Sequence, residues 1–360
     1  MRPRIDIVIP TRDRPHELAR TLDRLDALTA ESTIFVIDNA SHAPLDVPAR
    51  LPRGSRIELI RLDRNAGTAA RNIAAHASNA EWLLVLDDDS SPRVPWQPIV
   101  NSDDPTVAAI GADIALPTGA REAGGLPEVF VGCGALLRRQ AFLDAGGYDE
   151  SFGYYAEETD LCARLIAGGH RIAFDANFRV EHRRAETNRS VAHIVERLAR
   201  NETLVIHRYA PADQRDEWVE RTLARRRQIA EREACAEAFE RGRAAFELAA
   251  RNEDRQPLSR TQWDRLIGRA FVRTAIESLR TLRVAVEMPA GAPGKHADVI
   301  LYECERIGCQ LVEIGEAEVI VAGTLAPGLA LDAAERLRAR HPSAAVVALS
   351  PLVQPSPCHG

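Results

Sequence analysis

Three adjacent carboxylates, Asp87, Asp88 and Asp89, close a run of five apolar residues, Trp82 to Leu86. Such a run bounded by polar residues reads as a buried strand, central in a parallel sheet. Carboxylates crowded at one strand end repel unless positive charge is placed among them. A hard divalent cation meets that need, because Mg²⁺ takes oxygen ligands and shares them with substrate phosphates. The alternative is an acidic loop in water. Asp38 ends a second apolar run, residues 33–38, and Thr11 follows a third, residues 5–9 stopped by Pro10. A third acidic group, Glu157-Glu158-Thr159-Asp160, precedes a short helix-like segment, and Asp149 lies just upstream.

The elements that must position these residues alternate in type over the first 115 residues. Strands are expected at 5–9, 33–38, 56–61 and 82–86. Helices are expected from Pro15, where a missing N–H costs little, and over 67–77. This order predicts a mostly parallel, doubly wound sheet that gathers Thr11, Asp38 and Asp87 to Asp89 on one carboxyl rim. Further strands are expected at 107–114, 129–137 and 171–174, with short helices at 139–145 and 161–167. Residues 190–281 read as a helical region, and its charged run 217–252 as a solvated hairpin with no functional demand. A small α/β module is expected over 282–350, with strands at 283–287, 310–314, 318–322 and 344–349 and helices at 297–307 and 331–339. The Pro-rich residues 351–360 read as a disordered tail.

Composition narrows the class. The chain has 360 residues, 45% hydrophobic and 27% charged, as expected of a soluble globular protein of two or three domains. A net charge of -6 argues against a nucleic-acid partner. The six cysteines form no Cys-x-x-Cys pair, which disfavours a zinc site or disulfide framework and fits the cytoplasm. No apolar stretch approaches the ~20 residues of a membrane span, so membrane contact would be peripheral. No Gly-x-Gly-x-x-Gly follows the first strand, which removes a dinucleotide-dependent dehydrogenase. Pro10-Thr-Arg-Asp-Arg-Pro15 lacks the glycine-rich loop of a sugar nucleotidyltransferase. Ser90-Ser91-Pro92 after Asp89 does not suit a calcium loop.

Seven stretches occur in the order found in one enzyme family: Ile7-Val-Ile-Pro-Thr-Arg-Asp-Arg-Pro15, Val36-Ile-Asp-Asn-Ala-Ser41, Asn65-Ala-Gly-Thr-Ala-Ala-Arg-Asn72, Leu86-Asp-Asp-Asp-Ser-Ser-Pro92, Gly132-Cys-Gly-Ala-Leu-Leu-Arg-Arg139, Gly146-Gly-Tyr-Asp149 and Glu157-Glu-Thr-Asp-Leu-Cys-Ala-Arg164. Residues 1–189 thereby resemble the family 2 glycosyltransferases of the GT-A fold, and within them a rhamnosyltransferase-like subgroup. The resemblance implies a nucleotide-sugar donor, UDP- or dTDP-linked, a carbohydrate or glycoconjugate acceptor in polysaccharide or glycoconjugate assembly, and an inverting, metal-dependent transfer. It makes Asp87 and Asp89 the Asp-x-Asp element that holds Mg²⁺ or Mn²⁺, with His182 as a third ligand. Thr11, Arg12, Asp38, Asn65, Gly67, Arg71, Asp87 and Asp88 would bind the donor. Gly132, Cys133, Gly134 and Glu157 would face the acceptor.

The family places an aspartate base where this chain has Glu158, one methylene longer. Glu158 is the expected general base, with Asp160 the competitor, and Arg183 and Arg184 are candidate diphosphate contacts. Asp38 and Asn65 could equally serve as turn or cap residues. A non-catalytic binding or scaffolding subunit is the alternative function. Residues 319–350 resemble the later half of a bacterial response-regulator receiver domain, without an aspartate at the strand end where a phosphoacceptor would stand. The module carries none of the seven stretches. It is expected to be dispensable for sugar transfer and to serve, if anything, a second copy or a protein partner.

Overall fold

The computed structural model describes residues 4–27, 32–93, 104–184, 190–289 and 296–353. Eight strands form the first sheet: β1 Ile5–Thr11, β2 Thr33–Asp38, β3 Arg56–Arg61, β4 Trp82–Leu86, β5 Ser90–Pro92, β6 Val107–Ala115, β7 Gly134–Arg138 and β8 Arg171–His182. Their order is β3-β2-β1-β4-β7-β6-β8-β5. The β3 to β4 half is parallel, as the alternation of strand and helix predicts. β7 enters antiparallel between β4 and β6, so the sheet is mixed. All five residues of β4 are buried. It sits at the centre, and its carboxyl end delivers Asp87 to Asp89 beside the end of β1.

The packing helices are α1 Pro15–Leu25, α2 Ala70–Ala77, α3 Arg139–Asp144 and α4 Glu157–Ala167. In α1, Pro15 opens the first turn and Leu18, Leu22 and Leu25 bury one stripe. Two expectations shift. The strand expected over 129–137 begins only at Gly134, because the preceding residues turn. The strand expected at 171–174 runs on to His182, pairing with β6 through a register shift that absorbs the irregular middle. β8 therefore carries His182 beside β5 and the acidic turn, where Ser90 pairs with His182.

Helices α5 Val191–Tyr209, α6 Arg215–Arg232, α7 Ala236–Ala250, α8 Arg260–Leu266 and α9 Arg269–Ile276 follow. The C-terminal module holds β9 Arg283–Glu287, α10 Ala297–Ile307, β10 Gln310–Leu311, β11 Val319–Ala322, α11 Pro327–Arg340 and β12 Ala345–Val347. Its parallel strands lie in the order β10-β9-β11-β12. Of the expected tail, residues 354–360 lie outside the described residues. Val284, Ile300, Val321 and Leu325 of the module share one apolar cluster with Val85 and Leu137 of the first sheet. Among the described residues no helix is long and apolar enough to cross a membrane.

Candidate active site

The ends of β1 and β4, the turn before β7, the start of α4 and the end of β8 surround one cleft of roughly 1340 Å³. The helices and the module complete it: Leu198 and Glu202 of α5, Trp218 and Arg225 of α6, and Asp298 and Leu301 of α10 also line it. The charged hairpin read from sequence as a solvated element thus supplies a wall. Its high charge density hides an inward stripe, with Trp218, Thr222 and Arg226 buried at helical spacing.

The three aspartates are each met by a protein cation. Arg71, buried on α2, reaches Asp87 Oδ1 at 2.5 Å. Arg14 donates to Asp88 Oδ1 at 3.0 Å and lies 3.5 Å from Asp89 Oδ2. His182 Nε2 faces Asp89 Oδ1 at 3.4 Å. Arg14 was not singled out from the sequence, and no local pattern marks it. Asp88 also accepts from the Thr11 hydroxyl at 2.7 Å, and its carbonyl accepts from Thr21 and Arg183. Burial pushes Asp88 up to about 6, against the pull of Arg14 and Thr11. Asp88 and Thr11 therefore pin the turn, while both still line the cleft.

His182 stands between two carboxylates. Its Nδ1 lies 3.0 Å from Glu122 Oε2, which leaves Nε2 directed toward Asp89. Burial pulls the imidazole pKa down, but Asp89, Cys133 and Glu122 together push it up to about 12. Glu122 is held at about 2, despite burial, by His182 and Arg184. The pocket thus favours positive charge at His182, as a proton or as a cation in its place. Ligand atoms of Asp87, Cys133 and His182 also lie within 4.8 Å of one another. Burial raises the Cys133 thiol to about 11, so it stays protonated and is a poor partner for a hard cation. Asp87 and His182, the other two of that group, offer an oxygen and a nitrogen of the kind Mg²⁺ or Mn²⁺ takes. A carboxylate behind a ligating imidazole, here Glu122, is the usual companion of such a site. Sequence reasoning missed Glu122, which sits in a loop outside every matched stretch.

The four competing acids separate into two pairs. Glu157 and Glu158 line the cleft, whereas Asp149 and Asp160 do not. Asp160 is fully buried and accepts from Arg164 at 2.6 Å, Arg208 at 2.8 Å and the Tyr209 hydroxyl at 2.8 Å. Asp149 caps the turn at Glu150–Phe152 and also takes Arg208, at 2.7 Å. These two anchor α5 to the loop before α4, and the expected competitor Asp160 does not face the cleft. The reason is register: α4 starts at Glu157, four residues earlier than expected, which puts Asp160 on its inner face. Glu158 Oε1 accepts from the Gly132 N–H at 3.1 Å. A Cβ at Gly132 would stand 2.9 Å from that oxygen, so the close approach requires glycine there. Burial raises the pKa of both Glu157 and Glu158.

The loop before α4 is strained. Tyr155 and Ala156 have φ of 73° and 68°, a region that side chains disfavour. Asn201 of α5, fully buried, holds it by donating to the carbonyls of Phe152, Tyr154 and Tyr155 at 3.0, 2.9 and 2.8 Å. Asn201 is a second residue the sequence did not reveal.

Asp38 is buried and does not line the cleft. Its Oδ1 takes the Ser41 N–H at 2.8 Å, while Oδ2 has no hydrogen-bond donor and lies 3.3 Å from Arg61. Arg12 and Asn65 line the cleft, Arg12 with its side chain 41% exposed and Asn65 capping Gly67 N at 2.9 Å. Gly67 and Gly134 do not line it. Gly67, at φ +60°, lets its loop meet Gly153, and Gly134 makes room for Val180. Cys133 is a buried wall residue. Arg184 pairs with Glu122 at the rim, and Arg183 turns away to Glu17 and Thr21.

Residues 6–100, which include β1 to β4, the acidic turn and β5, match the model of glycosyl transferase family 2. Over 203 residues, 49% of this chain, the sequence is 29% identical to a pre-mycofactocin glycosyltransferase of Mycobacterium tuberculosis, of which 42% is covered. It is 27% identical over 234 residues, 53% of the chain, to the O-antigen biosynthesis protein RfbC of Myxococcus xanthus, of which 18% is covered. The chain thus spans less than half the length of these curated relatives. Among solved structures, GalNAc-T7 with UDP, GalNAc and Mn²⁺ is similar at a TM-score of 0.47 and 17% identity, over 58% of this chain and 48% of that one. Over its N-terminal region, the chain is thus similar to glycosyl transferase family 2.

Proposed function

We propose that this protein transfers a sugar from a UDP- or dTDP-linked donor to a hydroxyl of a glycan or glycoconjugate acceptor, with inversion at the anomeric carbon. The observation that carries it is one cleft holding both Asp89 opposite His182, 3.4 Å apart, and the glutamate pair of α4. The family match and the two relatives, named for glycosyl transfer and O-antigen biosynthesis, support the reaction class.

In this reading the open Oδ2 of Asp38 accepts an imide N–H of uracil or thymine, and Arg12 and Asn65 border the ribose. Asp87, Asp89 and His182 would hold Mg²⁺ or Mn²⁺. When bound, the cation supplies Lewis-acid neutralisation of the leaving diphosphate. Arg71 holds Asp87 in register for that task. Glu158, oriented by the Gly132 N–H, takes the proton of the acceptor hydroxyl as that oxygen attacks the anomeric carbon. Burial has moved its pKa up toward the working range of a base. One base and no enzyme nucleophile imply single displacement, hence inversion. Glu157 shapes the acceptor side together with Gly132 and Cys133. The wall made by α5, α6 and α10 is where the acceptor would extend.

The test is a screen of UDP-, dTDP- and GDP-sugars for nucleoside diphosphate release, with and without chelator. Release from a UDP- or dTDP-sugar that chelator abolishes and Mn²⁺ restores is expected. Donor binding with no release under any condition would favour a scaffolding subunit.

A further inference from the structure

The C-terminal module touches the metal-site residues through one strap, residues 116–131. Asp332 of α11 accepts the Arg121 backbone N–H at 2.7 Å through Oδ2 and the Arg121 guanidinium at 2.7 Å through Oδ1. Arg121 is tied back to Asp113 of β6 at 3.1 Å, so the strap is held from both units. Gly328, in the first turn of α11, meets the strap so closely that a Cβ would stand 2.7 Å from Arg121 Cβ and from the Glu122 carbonyl. The next residue, Glu122, is the carboxylate behind His182, 3.0 Å from Nδ1.

We propose that the module is a built-in part of the active site: Asp332 and Gly328 fix the strap, and the strap fixes Glu122, which orients His182 toward a bound cation. Glu122 and Asp332 are positioning residues, since neither needs to touch substrate. A carboxylate behind a ligating imidazole fixes the ring's tautomer and angle, and its loss costs such sites about 10- to 100-fold in metal affinity. Asp332 bonds Arg121, one residue before Glu122, so its effect reaches His182 through Glu122. This inference rests on the metal reading of Asp89 and His182 given above.

The test is Mn²⁺ titration of the full chain, with free Mn²⁺ followed by electron paramagnetic resonance, for wild type, Glu122→Gln, Asp332→Asn, Gly328→Ala and the Glu122→Gln/Asp332→Asn double variant. UDP binding and thermal melts serve as controls for an intact donor site and fold. E122Q should weaken Mn²⁺ by about 10- to 100-fold. D332N and G328A, which perturb the strap by different means, should weaken it in the same direction with UDP binding in the absence of metal retained. The double variant should be no weaker than E122Q, the non-additivity expected of residues acting in series. Wild-type Mn²⁺ affinity in both D332N and G328A, or full additivity in the double variant, overturns the inference alone. A wild type that binds UDP but no Mn²⁺ overturns the inference and the metal reading while leaving the donor site standing. Failure to bind either overturns the proposed function itself.

Discussion

Replacing Asn201 tests whether the helical region sets the catalytic loop. Its amide has two N–H groups and serves three buried carbonyls, so at least one hydrogen is shared. Asn201→Ala removes those donors from three carbonyls, one of them in a buried bond, at a cost of up to about 1–3 kcal/mol. It also releases Tyr155 and Ala156 from left-handed backbone that costs of order 1–3 kcal/mol per residue to maintain. The loop would then relax toward ordinary φ values and carry Glu158, two residues on, out of place. A 1 Å error in a reacting group costs on the order of 10²-fold in rate. N201A should therefore lower kcat by ~10² and the unfolding free energy by at most about 1–3 kcal/mol, less whatever strain is released, with donor affinity preserved because Arg12 and Asn65 stand on other elements of the cleft. Asn201→Asp should be worse, because a carboxylate facing three carbonyls offers no donor. Urea unfolding and donor turnover read the two effects. Wild-type midpoint and kcat in N201A would refute the reasoning.

Two further outcomes follow from the site. Burial raises the Glu158 pKa, and a base acts only when ionised. The acid limb of the kcat/KM profile should therefore fall at a pH above the ~4.3 of an ordinary glutamate, with activity rising as pH rises through it; a limb at the ordinary value would count against Glu158. Asp38→Asn exchanges one carboxylate oxygen for an amide and should weaken UDP binding by about 10- to 100-fold, the worth of a charge-assisted hydrogen bond. Unchanged affinity by calorimetry would remove Asp38 from base recognition.

The first half of the sheet was legible because β2 and β4 hold unbroken apolar runs and β3 sets Ile57, Leu59 and Ile60 around Glu58: all three begin and end where the residue pattern does. The rim position of Asp38 and Asp87 to Asp89 follows from that pattern alone. The expected electrostatic remedy was incomplete, since Arg71, Arg14 and His182 answer the three carboxylates before any divalent cation is considered. Those partners lie 16, 74 and 93 positions away in the chain, as the residue numbers of Arg71 with Asp87, Arg14 with Asp88 and His182 with Asp89 give. Glu122 and Asn201 were hidden for the same reason: each acts across 46 to 60 positions on a partner that carries no matching signal. The burial of Asp160 was not legible because Arg208 and Tyr209, which it accepts from, lie 48 and 49 positions away in the chain. The contacts of the module were not legible because it lacks family stretches, although Gly328 and Asp332 meet the strap that carries Glu122.

The most direct test is single-turnover transfer by Glu158→Gln, which keeps the side chain's size and its contact with Gly132 but cannot take a proton. The expected result is a transfer rate lower by ~10²–10⁴ with donor affinity unchanged; transfer near the wild-type rate would contradict the assignment of Glu158 as the base.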